Sequence, residues 1–374
     1  MFQHRRLNSD ITLFQKIKDL DYILLFSIFL LSSISLFVMY STDGGEVLYH
    51  TKSHFIKLIV FFFMMLVISF INIKLWHISA YVFYLIIILL LIWVSFFGIS
   101  VSGSQRWLDL YFIALQPSEL MKIAIILCLA KYYHRLKADD INNFVSILIP
   151  LIIIFLPMIL VLAQPDLGTS ILIVLSGLVI LWLGGVKIKY FFYSFISFLI
   201  SLPFIISFLK PYQKLRILTF LDPDRDPLGA GYQIIQSKIA IGSGGVYGKG
   251  FLKGTQSYLD FLPEKHTDFI FTLFSEEFGF IGSILLIAIY IIIILRIIKI
   301  GVISRSSFAK IFCFGFAFAI FVYISVNLSM VLGLLPIVGS PLPIMSYGGS
   351  SMLATMIGFG IVMSAKIHHN QTIA

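Results

Sequence analysis

Long hydrophobic runs separated by short polar intervals form the pattern of this chain. Ten runs have about the length that crosses a hydrocarbon core of roughly 30 Å. They predict spans near residues 22–40, 55–73, 78–99, 117–133, 145–163, 169–184, 190–209, 269–295, 311–332 and 350–365. One interval, residues 210–268, is far longer than the others and separates spans seven and eight. The pattern predicts an all-α polytopic membrane protein, with one integral-membrane domain over residues 1–374 and one long extracytoplasmic loop.

The composition agrees with this class. Hydrophobic residues make up 59% and charged residues 12% of the chain, against about 45–50% and 25% in a soluble domain. The net charge of +9 does not indicate nucleic-acid binding, because the basic residues fall at the ends of the hydrophobic runs. Cys128 and Cys313 lie inside such runs and predict neither a disulfide framework nor a metal site. The charged segment 1–21 leads into a full-length span and indicates a signal anchor.

The distribution of basic residues predicts the orientation. An even number of spans places both termini on one side, and most Lys and Arg residues of the short loops fall on that side. The short loops on the other side contain only Lys52 and Arg106. The positive-inside rule therefore predicts cytoplasmic termini, and the long loop does not count in it. The polar segments 104–119, 164–168, 210–268 and 335–350 then all face outward, where ATP is not available.

Asp268, at the start of span eight, is the central candidate. One interpretation is an N-terminal carboxylate stabilised by the helix dipole, worth roughly 0.3–1 kcal/mol. The other is a general base at the edge of the apolar phase. The dipole lowers the pKa of this carboxyl and partial desolvation raises it, and the sequence leaves that balance open. His266 has no Cys or His at ligand spacing, so we predict a polar neighbour of Asp268 and not a metal ligand.

Other charged residues have two interpretations each. Glu119 and Lys122 are spaced i, i+3 and can pair with each other; alternatively, Lys122 contacts a diphosphate. Asp166 lies in a Pro-Asp-Leu-Gly turn, where Asp is common for turn geometry alone; alternatively, it lines the same outer cavity as Asp268. Glu276 and Glu277 lie deeper in span eight, where burial of a charge is costly, and interhelical pairing is the prediction for both.

The glycine-rich run at residues 242–250 superficially suggests a phosphate loop. Ser243 stands where the first glycine of a P-loop is required, and Gly250 where Ser or Thr would bind magnesium. Two interpretations remain, an anion-binding nest of backbone N–H groups and a mobile turn.

These segments resemble the SEDS family of bacterial cell-wall proteins. The matching stretches are SGSQRWLDL, LQPSELMKIAIILCLAKY, AQPDLGTS, GYQIIQSKIAIGSGGVYGKG, GTQSYLDFLPEKHTDFIFTLFSEEFG and NLSMVLGLLPIVGSPLPIMSYGGSS, from span three to span ten. The HTDFIF and SYGGSS blocks are the most specific, and GSPLPIMSYGG favours the RodA-type branch over the division branch. Tyr111, Phe251 and Met345 depart from the family pattern, and none of them is charged.

The resemblance implies a peptidoglycan glycosyltransferase, a hexosyltransferase that polymerises lipid II during cell elongation. Lipid II is an undecaprenyl-diphosphate-linked disaccharide-peptide, and the reaction would take place at the outer, periplasmic face of the bacterial cytoplasmic (inner) membrane. The implied partners are a class B penicillin-binding protein of PBP2 type, which cross-links the strands, and other membrane proteins of the elongation complex, with no nucleic acid.

The family's site residues fall on named positions of this chain. Its catalytic Asp corresponds to Asp268, which would accept the proton of the acceptor sugar's 4-hydroxyl. Its substrate-binding positions correspond to Arg106, Glu119, Lys122, Asp166, Gln233, Lys238 and Ser346. The resemblance requires no cofactor and assigns no metal ligand, and a divalent cation, Mg²⁺ or Mn²⁺, is compatible with it.

Two other functions stay open, a lipid II flippase and a non-catalytic scaffold for the class B penicillin-binding protein. Helices interrupted by Gly or Pro within the bilayer would favour a transporter. The breaks in this sequence concentrate in the outer loops, which favours an enzyme.

Overall fold

The computed structural model describes residues 12–101, 104–109, 114–208, 211–225, 229–255 and 264–373. Its helices are α1 (Leu13–Lys18), α2 (Tyr22–Thr42), α3 (Tyr49–Phe70), α4 (Ile73–Phe97), α5 (Pro117–Arg135), α6 (Phe144–Ala163), α7 (Leu167–Leu183), α8 (Ile188–Phe208), α9 (Pro211–Leu221), α10 (Ala230–Ser243), α11 (Ile270–Ile303), α12 (Ser307–Val331) and α13 (Gly349–Ile367). Three short strands follow α4: β1 (Ile99–Val101), β2 (Ser104–Asp109) and β3 (Ala114–Leu115).

Each of the ten predicted spans corresponds to one of these helices, α2 to α8 and α11 to α13. Within the described residues, seven helices are long and apolar enough to cross a membrane: α2, α3, α4, α6, α11, α12 and α13. Helix α5 carries Glu119, Lys122 and Lys131, and α7 is only 17 residues long. The prediction of a polytopic helical membrane protein is confirmed, and the count of ten spans stays a prediction.

Helix α13 lies at the centre of the bundle, where it packs against α3 and α5. Two glycines allow these helices to approach closely. A Cβ atom on Gly358 would lie 2.2 Å from the Phe316 ring of α12, and one on Gly360 would lie 2.5 Å from Ile68 of α3. Small residues at helix contacts are typical of membrane bundles, in which dispersion contacts rather than hydrophobic burial drive association.

The connections alternate between the two ends of the bundle. At one end, Arg296 of α11 pairs with Asp21 at 2.6 Å. Ser364 of α13 donates to the carbonyl of Ile71 at 2.6 Å at the same end. The opposite end, which we call the site end, contains the α2–α3, α4–α5, α6–α7, α8–α11 and α12–α13 connections, and hydrogen bonds join them to one another.

Helix α11 is interrupted at Gly279, which has φ 65° and ψ −163°. This break lies inside predicted span eight, whereas α6 stays helical through Pro150 and Pro157. The physical reason for the break is a second segment that supplies the missing backbone partners. Gly245 and Val246 accept hydrogen bonds from the N–H groups of Phe280 and Ile281 at 3.0 and 3.1 Å.

The glycine-rich segment 244–250 is therefore part of the helix packing. The N–H groups of Lys249 and Gly250 donate to the carbonyls of Glu276 and Glu277, each at 3.0 Å, and that of Gly248 donates to Gly244 at 2.8 Å. The N–H groups of Gly248, Lys249 and Gly250 are therefore not available to an anion, which argues against the nest, and the mobile turn stays a prediction.

The described part of the long interval 210–268 contains two helices, α9 and α10, which the hydrophobic pattern did not predict. Helix α10 is anchored through Ser237, whose hydroxyl lies 2.8 Å from the hydroxyl of Thr272 and donates to the carbonyl of Val331 at 2.7 Å. The small antiparallel sheet, in the order β1-β2-β3, was not predicted either. It positions Arg106 on β2 at the site end.

Candidate active site

Asp268 lies in a short turn, residues 264–269, which three hydrogen bonds from other parts of the chain fix in place. The N–H of Tyr347 donates to the carbonyl of His266 at 2.8 Å. The Ser346 hydroxyl donates to the carbonyl of Thr267 at 2.6 Å, and the Asn327 amide donates to that of Asp268 at 2.9 Å. Three successive carbonyls are thus bound, which fixes the backbone from which the Asp268 side chain extends.

The Asp268 carboxyl lies outside the helix, since α11 begins at Ile270. The side chain is partly exposed, and within the described part of the chain no hydrogen bond or ion pair to its carboxylate is formed. The pKa of Asp268 is raised to about 7, chiefly by burial and next by the Glu264 carboxylate, while Arg216 partly opposes both. Desolvation is thus the largest cause of the upward shift.

The connection between α12 and α13, residues 332–348, organises this end of the molecule. The Asn327 amide that holds Asp268 also donates to the carbonyl of Ser340 at 2.7 Å. The guanidinium of Arg216 on α9 donates to the carbonyl of Ile337 at 3.1 Å. Gly339 has φ +69°, a conformation that favours glycine, and a Cβ there would lie 3.6 Å from Oδ2 of Asp268. The sequence singled out only Ser346 in this segment, because the other contacts use backbone atoms.

Arg106 and Asp166 meet at a second corner of the site end. The Arg106 guanidinium lies 3.4 Å from Oδ2 of Asp166 and also donates to the carbonyls of Gln164, at 3.0 Å, and Pro165. Asp166 caps α7 through its Oδ1, which accepts from the N–H of Thr169 at 3.1 Å. Asp166 therefore has the predicted turn function as the cap of α7, and its carboxylate also pairs with Arg106.

Glu119 and Lys122 form a buried pair on the first turns of α5. The Lys122 Nζ lies 2.7 Å from Oε1 of Glu119, and the two side chains are 4% and 7% exposed. The same ammonium lies 4.0 Å from the centre of the Tyr323 ring, whose hydroxyl donates to Oε2 of Glu119 at 3.4 Å. In this arrangement Lys122 is bound within the protein, and its contact with a diphosphate stays a prediction.

Gln233 and Lys238 both lie on α10. Gln233 is half-buried, and Lys238 is exposed. The Lys238 side chain crosses Gly333 at the start of the α12–α13 connection, so that a Cβ on Gly333 would lie 2.8 Å from its Nζ. Of the predicted cations, Lys238 is the one most open to solvent.

Glu276 and Glu277 have separate partners. Glu276 accepts hydrogen bonds from the Lys249 ammonium at 2.6 Å and from the N–H of Thr255 at 3.0 Å. Glu277 accepts from the hydroxyl of Ser41 on α2. Interhelical pairing thus holds for Glu277, whereas the lysine that pairs with Glu276 comes from the glycine-rich segment, and interhelical pairing of Glu276 stays a prediction.

His266 has two nearby ligand-type side chains that sequence spacing does not show. Its ring stacks on that of His50 with centres 4.0 Å apart, and its Nδ1 lies 4.0 Å from Oδ1 of Asp43. The argument that His266 lacks ligand partners is therefore wrong in three dimensions, because Asp43 and His50 come from the α2–α3 connection.

Among the described residues, three apolar cavities lie between helices. One of about 390 Å³ is lined by α2 and α11 side chains with Phe251. One of about 380 Å³ lies between α7, α11 and α12, and one of about 270 Å³ lies between α10 and α11. Asp268 lines none of the three, and the polar corners described above are separate from them.

Comparisons with known proteins agree with this arrangement. The model of the family described as "Cell cycle protein", which covers FtsW, RodA and SpoVE, matches residues 18–371. The peptidoglycan glycosyltransferase MrdB of Escherichia coli K12 is 48% identical over 287 residues, which cover 76% of this chain and 77% of MrdB.

Solved structures show the same fold. A chain of a peptidoglycan synthase complex, described as coordinating polymerization and crosslinking, is 29% identical with a TM-score of 0.80 and covers 93% of this chain and 97% of that one. The rod shape determining protein RodA of Thermus thermophilus, 23% identical with a TM-score of 0.71, covers 94% and 98% and shows the fold alone. The chain belongs to the FtsW/RodA/SpoVE family of cell cycle proteins, the SEDS family predicted from its motifs.

Proposed function

We propose that this chain is a peptidoglycan glycosyltransferase of RodA type that polymerises lipid II into glycan strands, with Asp268 as general base. The observation that carries the proposal is the state of Asp268: its backbone is fixed by Asn327 and its neighbours, while its carboxyl forms no bond within the described residues. The pKa of about 7 supports the assignment, since a base works best when its pKa lies near the operating pH.

The reaction then proceeds in one displacement. Asp268 takes the proton of the acceptor sugar's 4-hydroxyl, and that oxygen forms a bond to the anomeric carbon of the donor. The bond from the anomeric carbon to the diphosphate oxygen breaks, and polyprenyl diphosphate leaves with the electron pair. The transition state has oxocarbenium character, as in other glycosyl transfers, and attack opposite the leaving group inverts the anomeric centre.

The leaving diphosphate gathers negative charge and needs cations or N–H donors. Lys238 is the exposed cation of the predicted set, and Arg106 is half-buried beside Asp166. Lys122 is paired with Glu119 and would have to leave that partner to contact substrate. We assign the first contact with diphosphate to Lys238 and Arg106.

The setting of the reaction is also a proposal. With the basic residues on the side of the termini, the site end faces the periplasm and the lipid carriers stay in the outer leaflet of the inner membrane. The relative within the synthase complex supports a partner that cross-links the strands, for which a class B penicillin-binding protein is the candidate.

The test is polymerisation of lipid II by the purified full chain reconstituted in membranes. Asp268→Asn keeps the size and polarity of the side chain but removes the base, and we expect a loss of about 10²–10⁴-fold in rate. Asp139→Asn, an exposed aspartate at the opposite end, serves as the matched control and should keep the wild-type rate. Wild-type polymerisation by Asp268→Asn removes the assignment.

The same preparation separates the alternative functions. Transbilayer movement of lipid II without polymer, in wild-type vesicles, would indicate a flippase. Neither movement nor polymer would leave the scaffold as the remaining function. The break in α11 does not favour transport, because the segment 244–250 fills it with backbone hydrogen bonds.

A further inference from the structure

Three ligand-type side chains meet at the site end from two distant parts of the chain. Asp43 follows the last turn of α2, His50 lies in the first turn of α3, and His266 lies in the turn that carries Asp268. One donor atom from each of the three lies within 4.8 Å of the other two. The glycosyl transfer proposed above uses none of them.

The Asp43 carboxylate is oriented for a further ligand. Its Oδ2 lies 2.8 Å from the N–H and 2.7 Å from the hydroxyl of Thr51. Its Oδ1 faces both imidazoles, 3.4 Å from Nδ1 of His50 and 4.0 Å from Nδ1 of His266. Both distances exceed the usual hydrogen-bond range of about 2.7–3.2 Å, so neither contact is a good hydrogen bond.

These separations match the edge of a metal coordination shell. Ligands bound to a tetrahedral ion at about 2.0–2.2 Å lie about 3.3–3.6 Å apart. The pair at 3.4 Å already fits, and the pair at 4.0 Å needs a shift of about half an ångström. Because the imidazole planes are stacked, at 15° to each other, both rings must rotate before their nitrogens point at one ion.

We propose that Asp43, His50 and His266 form a binding site for a divalent transition-metal ion, with Zn²⁺ the best match. Two imidazoles and one carboxylate suit zinc and its neighbours, whereas Mg²⁺ prefers oxygen ligands. Three protein ligands leave a fourth tetrahedral position for water or another oxygen ligand. The bound ion ties the α2–α3 connection to the turn that carries Asp268.

Binding also requires the proton on Nδ1 of His266 to move. The Thr42 hydroxyl donates to the carbonyl of Met39 at 2.7 Å, so the 3.0 Å contact of that hydroxyl with Nδ1 of His266 places the proton on the ring nitrogen. A metal at Nδ1 displaces this proton: a neutral ring carries it on Nε2 instead, and a doubly protonated ring releases one proton to solvent. The proposal does not depend on the glycosyltransferase assignment.

Zinc titration of the purified full chain tests the site directly. The chain in detergent is stripped with a chelator, exchanged into chelator-free buffer and titrated with Zn²⁺ in a calorimeter. Bound zinc is then counted by elemental analysis. We expect one tight site per wild-type chain, weakened at least about 10-fold by His50→Ala and by Asp43→Asn. Glu46→Gln and His369→Ala are the matched controls, since Glu46 is exposed in the same connection and His369 lies at the opposite end.

The outcomes decide the proposal in either direction. No tight zinc in the wild type, equal binding by His50→Ala, or equal weakening by the controls would each overturn it. A zinc-induced rise in melting temperature for wild type and controls, but not for His50→Ala, supports it. Should the variants fail to fold, X-ray absorption of the zinc-loaded wild type still decides, because the site requires two imidazole ligands and a spectrum with none overturns it.

Discussion

The buried pair of Glu119 and Lys122 allows a prediction that separates structure from catalysis. Its charged atoms lie 2.7 Å apart and its side chains are almost fully buried. At an effective dielectric constant of about 20, unit charges at this distance attract by about 6 kcal/mol. Desolvation of both ions offsets most of that attraction. Loss of one partner, however, leaves a buried charge without compensation, and such losses cost about 3–5 kcal/mol.

Three variants measure this cost. Lys122→Met and Glu119→Gln each leave one group unpaired, and we expect each to lower the melting temperature by roughly 6–10 °C, at about 2 °C per kcal/mol. The double variant removes both charges and keeps the volume, so it should melt within a few degrees of the wild type. Lys299→Met is the control, because Lys299 is exposed near the end of α11 and far from this pair. This variant should not change the melting temperature.

Polymerisation of lipid II by the same variants decides the role of Lys122. A purely structural lysine predicts that the double variant regains activity together with stability. A lysine that contacts the diphosphate predicts a stable but inactive double variant. The reasoning is refuted if Lys122→Met alone melts like the wild type, since the two charges could not then be buried together.

Three further predictions concern the backbone of the site, each measured by thermal melting in detergent and by polymerisation rate. Gly339→Ala should lower the free energy of unfolding by about 1–2 kcal/mol and reduce activity, because φ of Gly339 is +69°. Gly348→Ala is the control and should be tolerated, because φ of Gly348 is 179°. Equal effects of the two variants would contradict this prediction. Asn327→Ala should cost roughly 2–4 kcal/mol because two carbonyls lose their donor, and Asn327→Asp should not restore it. Gly248→Ala should destabilise strongly, since its Cβ would lie 2.1 Å from a helix carbonyl, whereas Gly242→Ala should be neutral or stabilising.

The hydrophobic pattern predicted most of the fold because each run must cross the membrane. Counting the spans then assigns successive connections to alternate sides of the membrane. This assignment places the polar segments around Arg106, Asp166 and Asp268 at one end, and it requires no knowledge of the helix packing. This is why residues 166 and 268, which are far apart in the chain, could be assigned to the same region. The contacts between them could not be predicted, because the pattern carries no information about which helices are neighbours.

The features that the sequence could not predict have a common cause in contacts between residues that are far apart in the chain. The break at Gly279 lies in an apolar run, and the segment that fills it lies about thirty residues earlier. The same segment supplies Lys249 to Glu276. For His266, sequence spacing excluded ligand partners that the fold brings from the α2–α3 connection. In each case the deciding partner is distant in sequence and close in space.

The acceptors that fix Asp268 are main-chain carbonyls. Because every residue has one, they cannot be recognised in the sequence. Two of the donors can be recognised, because Asn327 and Ser346 are polar residues in buried positions. A buried polar side chain persists when it has a hydrogen-bond partner, so such residues at the ends of spans point to backbone that is held in a fixed geometry. Substitution of these donors should therefore disturb catalysis more than substitution of Thr267, whose carbonyl remains whatever its side chain, and a Thr267→Val variant as inactive as Ser346→Ala would contradict that view.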